Sequence, residues 1–269
     1  MNKVVSTNRL LVIVLVYTTS LLVGCQNEST SEAPWTKSRL LFEDMGTDNW
    51  QEKWMLDGLQ AKVINTDAGM ELIAGSEHGN DSSHTVLWTR QSFQGDISIE
   101  YDYTRTDTTT RCVNILYFLA TGEGGADHPE DISLWNDQRR VPSMSTYYNN
   151  MHTYHISYAA FSAQEYSGTN DYIRLRRYQP EQTGMANTDV PGDHFQTGMF
   201  KPEITYHIQV VKYKDLIEMR IQNAEDTSDQ LTCTWSVSEF PNCESGRIGL
   251  RHMYTRSARY KNFKVWSLK

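Results

Sequence analysis

Side chains of alternating polarity recur along this chain, and no apolar stripe with helical spacing persists beyond two turns. A period of two sets successive side chains on opposite faces of a strand, so such a sequence must pair strands into sheets and bury one face of each. The cleanest case is Ile97-Ser98-Ile99-Glu100-Tyr101-Asp102-Tyr103, where Ile97, Ile99, Tyr101 and Tyr103 share one face and Ser98, Glu100 and Asp102 the other. Residues 153–159 and 171–178 alternate in the same way. Tyr154, Ile156 and Tyr158 lie opposite His155 and Ser157; Ile173 and Leu175 lie opposite Tyr172, Arg174, Arg176 and Tyr178. Many short runs of this kind, spaced by turn signals, predict an all-β sandwich or jelly roll in one domain over residues 37–269.

Two long polar loops interrupt the pattern. Residues 122–141 hold Asp127, His128, Pro129, Glu130 and Trp135, and residues 179–198 hold Pro180, Pro191, Gly192 and His194. The first is long enough for a compact domain that it is expected to cover or rim something.

The first 24 residues belong to no domain. Lys3 and Arg9 precede an interrupted apolar core too short and too early for a spanning helix, and the segment ends Leu22-Val23-Gly24-Cys25. That ending resembles a lipobox: residues 1–24 would be a lipoprotein signal peptide and Cys25 the lipidated first residue of the mature protein. An ordinary secretory signal followed by a chance cysteine is the other reading. The run after it, rich in Ser, Thr and Glu, suits a flexible tether over residues 25–36. The expected location is the cell envelope, lipid-anchored at the outer membrane.

A formal net charge of -8 lacks the basic field of a nucleic-acid binder, so no nucleic-acid partner is expected. The 15 Tyr and 7 Trp serve either sheet packing or stacking on sugar rings. Of the 4 cysteines, Cys25 is explained by the lipobox. Cys233 and Cys243 flank a short polar segment and either close a disulfide in an oxidising envelope or stay reduced. Cys112, in an apolar strand, reads as a free thiol rather than a nucleophile. No Cys-x-x-Cys pair or His-x-x-x-His helix marks a zinc site, and no cofactor is called for.

The closing segments carry a resemblance. Gly246-Arg247-Ile248-Gly249-Leu250-Arg251, then Tyr260-Lys261-Asn262-Phe263-Lys264-Val265, is similar to the closing hairpin of concanavalin A-like (laminin G-like) jelly rolls. With Trp88-Thr89-Arg90, Phe93, Gly95-Asp96-Ile97, Glu100-Tyr101-Asp102, His155-Ile156-Ser157-Tyr158 and Asp171-Tyr172-Ile173-Arg174, the chain from about residue 41 to 266 looks like the family of domain of unknown function 1961. The resemblance implies an all-β, concanavalin A-like β-sandwich (jelly roll), encoded beside enzymes that degrade pectin or other uronate polysaccharides. This family carries no catalytic motif to transfer. More distantly the chain is similar to jelly-roll polysaccharide lyases, which set a His, a Tyr and one or more Arg on the concave sheet. Here these would be His155, Tyr172 and Arg174 or Arg176, although the lyases' local motifs around them are absent. A structural calcium ion at one end of the sandwich is compatible with this fold, but no acidic cluster specifies it.

A His and two Arg on one sheet face suit an anionic ligand, and an anionic poly- or oligosaccharide is the expected partner. A lyase acting on a uronic acid must neutralise the carboxylate, remove the C5 proton and protonate the leaving oxygen. Arg174 and Arg176 have the planar fork for the first task. His155 and Tyr172 fit the others, provided the arginines draw the phenol towards tyrosinate. The same set suits a dehydratase. Asn114, embedded in the apolar run 111–119, is either a structural bracket or a ligand contact. Arg251 and His252 point to opposite faces, so at most one joins the site. Trp135 either stacks on a sugar or anchors its loop. Each candidate has a structural alternative, chiefly that His155, Arg174 and Arg176 pair with Glu100 and Asp102 across a sheet. Those two acids, roughly 7 Å apart along one strand face, lack the third acid of jelly-roll glycoside hydrolases. A non-catalytic, lectin-like glycan binder is the main rival. It would show an exposed aromatic platform, whereas an enzyme would bury His155 and the arginines in a groove.

Overall fold

Each alternating run folds as a strand. The computed structural model describes residues 33–161, 170–182 and 184–269, so the expected signal peptide, Cys25 and most of the tether lie outside the described residues. The strands are β1 (Lys37–Asp44), β2 (Trp54–Asp57), β3 (Lys62–Thr66), β4 (Gly69–Ile73), β5 (Thr85–Thr89), β6 (Phe93–Gln94), β7 (Ile97–Arg105) and β8 (Cys112–Gly122). After the helix α1 (Met144–Asn150) come β9 (Met151–Phe161), β10 (Asp171–Tyr178), β11 (His194–Phe195), β12 (Thr205–Tyr213), β13 (Leu216–Asn223), β14 (Gln230–Ser236), β15 (Ser245–His252) and β16 (Ser257–Leu268).

These strands form two antiparallel sheets. The first runs β14-β13-β12-β7-β16-β4-β3, with β1 also on β16; the second runs β11-β10-β9-β8-β15-β5-β2, with β6 on β15. The apolar faces meet between them, as alternation requires: Ile97, Ile99, Tyr101 and Tyr103 of β7 pack in one core with Tyr154, Ile156 and Tyr158 of β9 and Ile173 and Leu175 of β10. Each such burial contributes about 1.5–3 kcal/mol. Much of the tyrosine content is core, with Tyr103 edge-on to Tyr158 at 5.2 Å and Tyr101 stacked on Phe263 at 5.4 Å.

Polar groups inside this core are bonded to one another. Tyr158 and Tyr260 share a hydroxyl hydrogen bond at 3.1 Å, and Asn114 donates Nδ2 to the Tyr103 hydroxyl at 2.7 Å. Asn114 thus faces the inter-sheet core as a bracket, not the ligand side. Arg256 Nε donates to Asp107 at 3.0 Å and Arg256 Nη1 to the Ala159 carbonyl at 2.7 Å, latching the turn before β16 to β9 of the opposite sheet.

Cys233 and Cys243 are separate, buried thiols, so the disulfide is not formed. Cys233 points into the core from β14 of the first sheet, whereas Cys243 leads into β15 of the second. Burial pushes their thiols up to about 12 and about 11. Cys112 is also free, and half-buried. Among the described residues no helix is long and apolar enough to cross a membrane.

Buried histidines make the fold acid-sensitive. Burial pushes His252, bonded through Nε2 to the Tyr260 hydroxyl at 2.8 Å, down to about 3 from 6.5, and likewise His84. Between these values the unfolded chain binds protons that the folded chain refuses. Stability is therefore complete above pH 6.5 and lost on acidification, at up to about 1.4 kcal/mol per pH unit for each histidine. Melting followed by circular dichroism should give a level Tm above neutrality and a falling one below pH 6.5, with a shallower fall in His252→Gln.

Candidate functional site

The outer face of the second sheet collects the predicted residues. In register, Arg176 lies beside His155 and Arg174 beside Ser157 on β9, and His155 in turn lies beside Tyr117 of β8. Arg251 of β15 stands beside Ile115 on one side and Val86 on the other, and Asp57 of β2 follows Val86. The facing read from alternation is realised.

Most of this face is roofed. Residues 123–150 cross it as a strap, and Ile132, Trp135 and Tyr147 pack with Val86, Trp88, Ile115, Tyr117 and Tyr178 in a second apolar cluster. One buried carboxylate clamps the strap. Asp57 accepts hydrogen bonds from Arg139 Nε at 2.7 Å, Asn136 Nδ2 at 2.6 Å and the Tyr147 hydroxyl at 2.8 Å, all from the strap, and from Trp88 Nε1 at 2.8 Å. Trp135 is an anchor rather than a sugar platform. It is buried, donates Nε1 to the Pro129 carbonyl at 3.0 Å and carries the Arg139 guanidinium 4.3 Å above its ring.

His155 lies beneath this cover. Its Nδ1 is hydrogen-bonded to the Tyr178 hydroxyl at 2.6 Å and its Nε2 to Ser157 Oγ at 2.7 Å, so both ring nitrogens are occupied. Burial, then the charges of Arg176, Arg251 and Arg174, push its pKa well down, and the ring is neutral. Glu100 and Asp102 do not reach it. They lie on the outer face of the first sheet, where Asp102 is bonded to His207 Nδ1 at 2.5 Å and accepts from Asn262 Nδ2 at 2.6 Å, and Glu100 accepts from Gln209 Nε2 at 2.7 Å. Alternation assigns faces within a strand but not the sheet a strand joins.

The arginine partners come instead from the loop after β10. Arg174 donates Nε to Asp193 Oδ2 at 2.7 Å, and Arg176 Nη2 pairs with Asp189 at 2.8 Å. These acids escaped sequence reasoning, although a loop leaving β10 is the nearest place to look. Asp189 and Asp193, with Arg174, Val190, Pro191 and Gly192, line a cleft of about 430 Å³. Tyr172 carries the Arg174 guanidinium 5.1 Å from its ring, and burial raises its pKa against the weaker pull of both arginines, so the expected tyrosinate is not favoured. Beside it, in register on β11, Phe195 is 63 % exposed, with its ring 6.5 Å from that of Tyr172. Phe195 was also missed, because a two-residue strand has no period to read. Among the described residues no group of three or more His, Cys, Asp or Glu is placed to hold a metal ion.

Residues 40–265 match the family model described as Domain of unknown function (DUF1961). The chain belongs to this family. No curated protein matches it in sequence. Among solved structures, this DUF1961 member is similar to a Bacillus subtilis protein of unknown function with a galectin-like fold, at 18 % identity and TM-score 0.62, covering 87 % of this chain and 98 % of that one. It is also similar to lectin II from Ulex europaeus, at 8 % identity and TM-score 0.54, covering 87 % and 100 %. The exoplasmic/lumenal domain of VIP36 in its Ca2+/Man3GlcNAc-bound form is a third, at 11 % identity and TM-score 0.53, covering 81 % and 85 %. At these identities the likeness is one of fold, and the fold of this DUF1961 chain is the expected concanavalin A-like jelly roll.

The Asp57 clamp has a measurable consequence. Asp57→Asn keeps the shape but leaves Arg139 buried without its counter-charge, a loss of about 3–5 kcal/mol. Urea unfolding should register it, with new proteolytic cleavage inside residues 123–150.

Proposed function

We propose that this protein is a glycan-binding module whose site is the open margin of the second sheet at β10 and β11, with a preference for carboxylated sugars. The observation that carries this reading is the exposed Phe195 ring set beside Tyr172, with the Arg174 guanidinium over the latter. An aromatic face stacks on the apolar face of a sugar ring, and a neighbouring guanidinium donates to hydroxyls or to a carboxylate. A lectin and a Man3GlcNAc-bound domain among proteins of like fold support a sugar as the ligand. In this reading Cys25 carries the lipid that holds the module at the cell envelope.

Two features weigh against β-elimination. Both His155 nitrogens are already hydrogen-bonded, and Tyr172 is held as the phenol. The hydrolase reading lacks its pair too, since Glu100 and Asp102 face the other way and are already bonded.

Titration calorimetry with uronate and neutral oligosaccharides tests the proposal. Phe195→Ala should weaken binding about tenfold, equivalent to ~1.4 kcal/mol, without lowering Tm. Arg174→Ala should erase the preference for the acidic sugars. Absence of binding across the panel refutes the module, and growth of the ultraviolet absorbance of an unsaturated uronate would restore β-elimination.

A further inference from the structure

Arg251 is the anomaly of the roofed face. Several other buried arginines have acids: Arg139 with Asp57 at 2.7 Å, Arg256 with Asp107 at 3.0 Å, Arg247 with Asp131 at 2.9 Å; Arg177 has none but donates through Nε and Nη1 to the carbonyls of Pro241 and Tyr178. Arg251 is fully buried and its bonded nitrogen, Nη2, meets only the Pro142 carbonyl at 2.6 Å and His84 Nδ1 at 3.1 Å. Neither partner carries a charge, because burial and the nearby Arg251 push His84 down to about 3. Arg251 Nε and Nη1 have no hydrogen-bond partner, and the buried Tyr117 phenol feels the Arg251 charge. Folded proteins rarely leave a buried charge unpaired or buried N–H groups unbonded, because desolvation is then uncompensated.

The surroundings specify what is missing. Tyr117 is stacked between Trp88 at 5.5 Å and Tyr147 at 5.8 Å, and the Arg251 guanidinium lies 4.7 Å from the Tyr147 ring. These walls carry no charge of their own, and the Asp57 carboxylate bonded to Trp88 and Tyr147 is paired with Arg139. The orphaned guanidinium nitrogens only donate and the phenol, kept protonated by its burial, can donate too. Donors converging around one positive charge call for an acceptor that is negative, and a carboxylate is the group that matches.

We propose that Arg251 and Tyr117 form a carboxylate subsite on the outer face of the second sheet, roofed by Pro142 and Tyr147 of the strap, which takes the acid group of a uronic acid unit. The subsite rests on the glycan-binding reading and extends it. Arg174 and Arg251 occupy one cross-strand row, separated by β9 and β8. The platform and the subsite are thus roughly 15 Å apart, and the ligand is an oligouronate rather than a single sugar. Entry requires the strap to lift at Pro142 and Tyr147.

The decisive variant is Arg251→Met, which keeps the length of the side chain and removes the charge. Without ligand its Tm should rise by about a few degrees, because an unpaired buried charge is gone. Its affinity for a galacturonate trisaccharide should drop at least tenfold, to that for the matched neutral galactose trisaccharide. Tyr117→Phe, which removes one oxygen, should weaken the acidic trisaccharide several-fold at unchanged Tm, and serves if Arg251→Met does not fold. A lower Tm in soluble, folded Arg251→Met would make Arg251 structural and overturn the subsite. So would wild-type selectivity in both variants; if Phe195→Ala then still abolished binding, the platform alone would stand. Failure of the wild-type protein to bind either trisaccharide would end both proposals.

Discussion

A single buried carboxylate governs what this protein presents to solvent. Asp57 sits on β2, at the far margin of the second sheet from β10 and β11, and most of its hydrogen bonds come from the strap. Charge-assisted bonds of this kind are stronger than neutral ones, and in a dry setting their geometry is exacting. With the strap held there, the middle of the face is closed and the β10–β11 margin is left open. The platform of Tyr172 and Phe195 is accessible because Asp57 draws the cover the other way.

The two outer faces of the sandwich consequently have different characters. On the first sheet, Glu100, Asp102, His207, Gln209 and Asn262 line an open cleft of about 620 Å³ and bond largely to one another. On the second, aromatic rings and arginines are pressed beneath the strap, and each buried cation must find its compensation locally. Arg139 and Arg247 find it in acids; Arg176 and Arg174 find it in the loop after β10. This difference in compensation is what the proposed ligand site on the second face rests on.

The strands and their facings were legible because a period of two is written directly into side-chain polarity. His155 beside Arg176, and Ile173 opposed to Tyr172, follow from it without further information. What connects separate strands was not legible. For Asn114 the sequence left bracket and ligand contact open, and Tyr103, from the opposite sheet, supplies its partner. For Trp135 it left stacking on a sugar and anchoring the loop open, and the strap turns the ring inward. Cys233 and Cys243 are near in sequence, yet one lies in the first sheet and the other leads into the second. The acids that neutralise Arg174 and Arg176 lie in a loop, where no periodicity announces which way a side chain turns. Each miss concerns a contact between elements that local pattern cannot encode.

The position of β16 bears on how the chain reaches this state. It lies in the interior of the first sheet, with β7 along one edge and β4 and β1 along the other. Arg39 and Ser267, bonded across β1 and β16, are separated by 228 residues in sequence. Until that loop closes, β7 and β1 each expose a row of unpaired backbone groups, and loop closure over such a span is entropically slow. Without β16 the first sheet falls into three pieces, β14-β13-β12-β7, β4-β3 and β1, which pair with one another only through it.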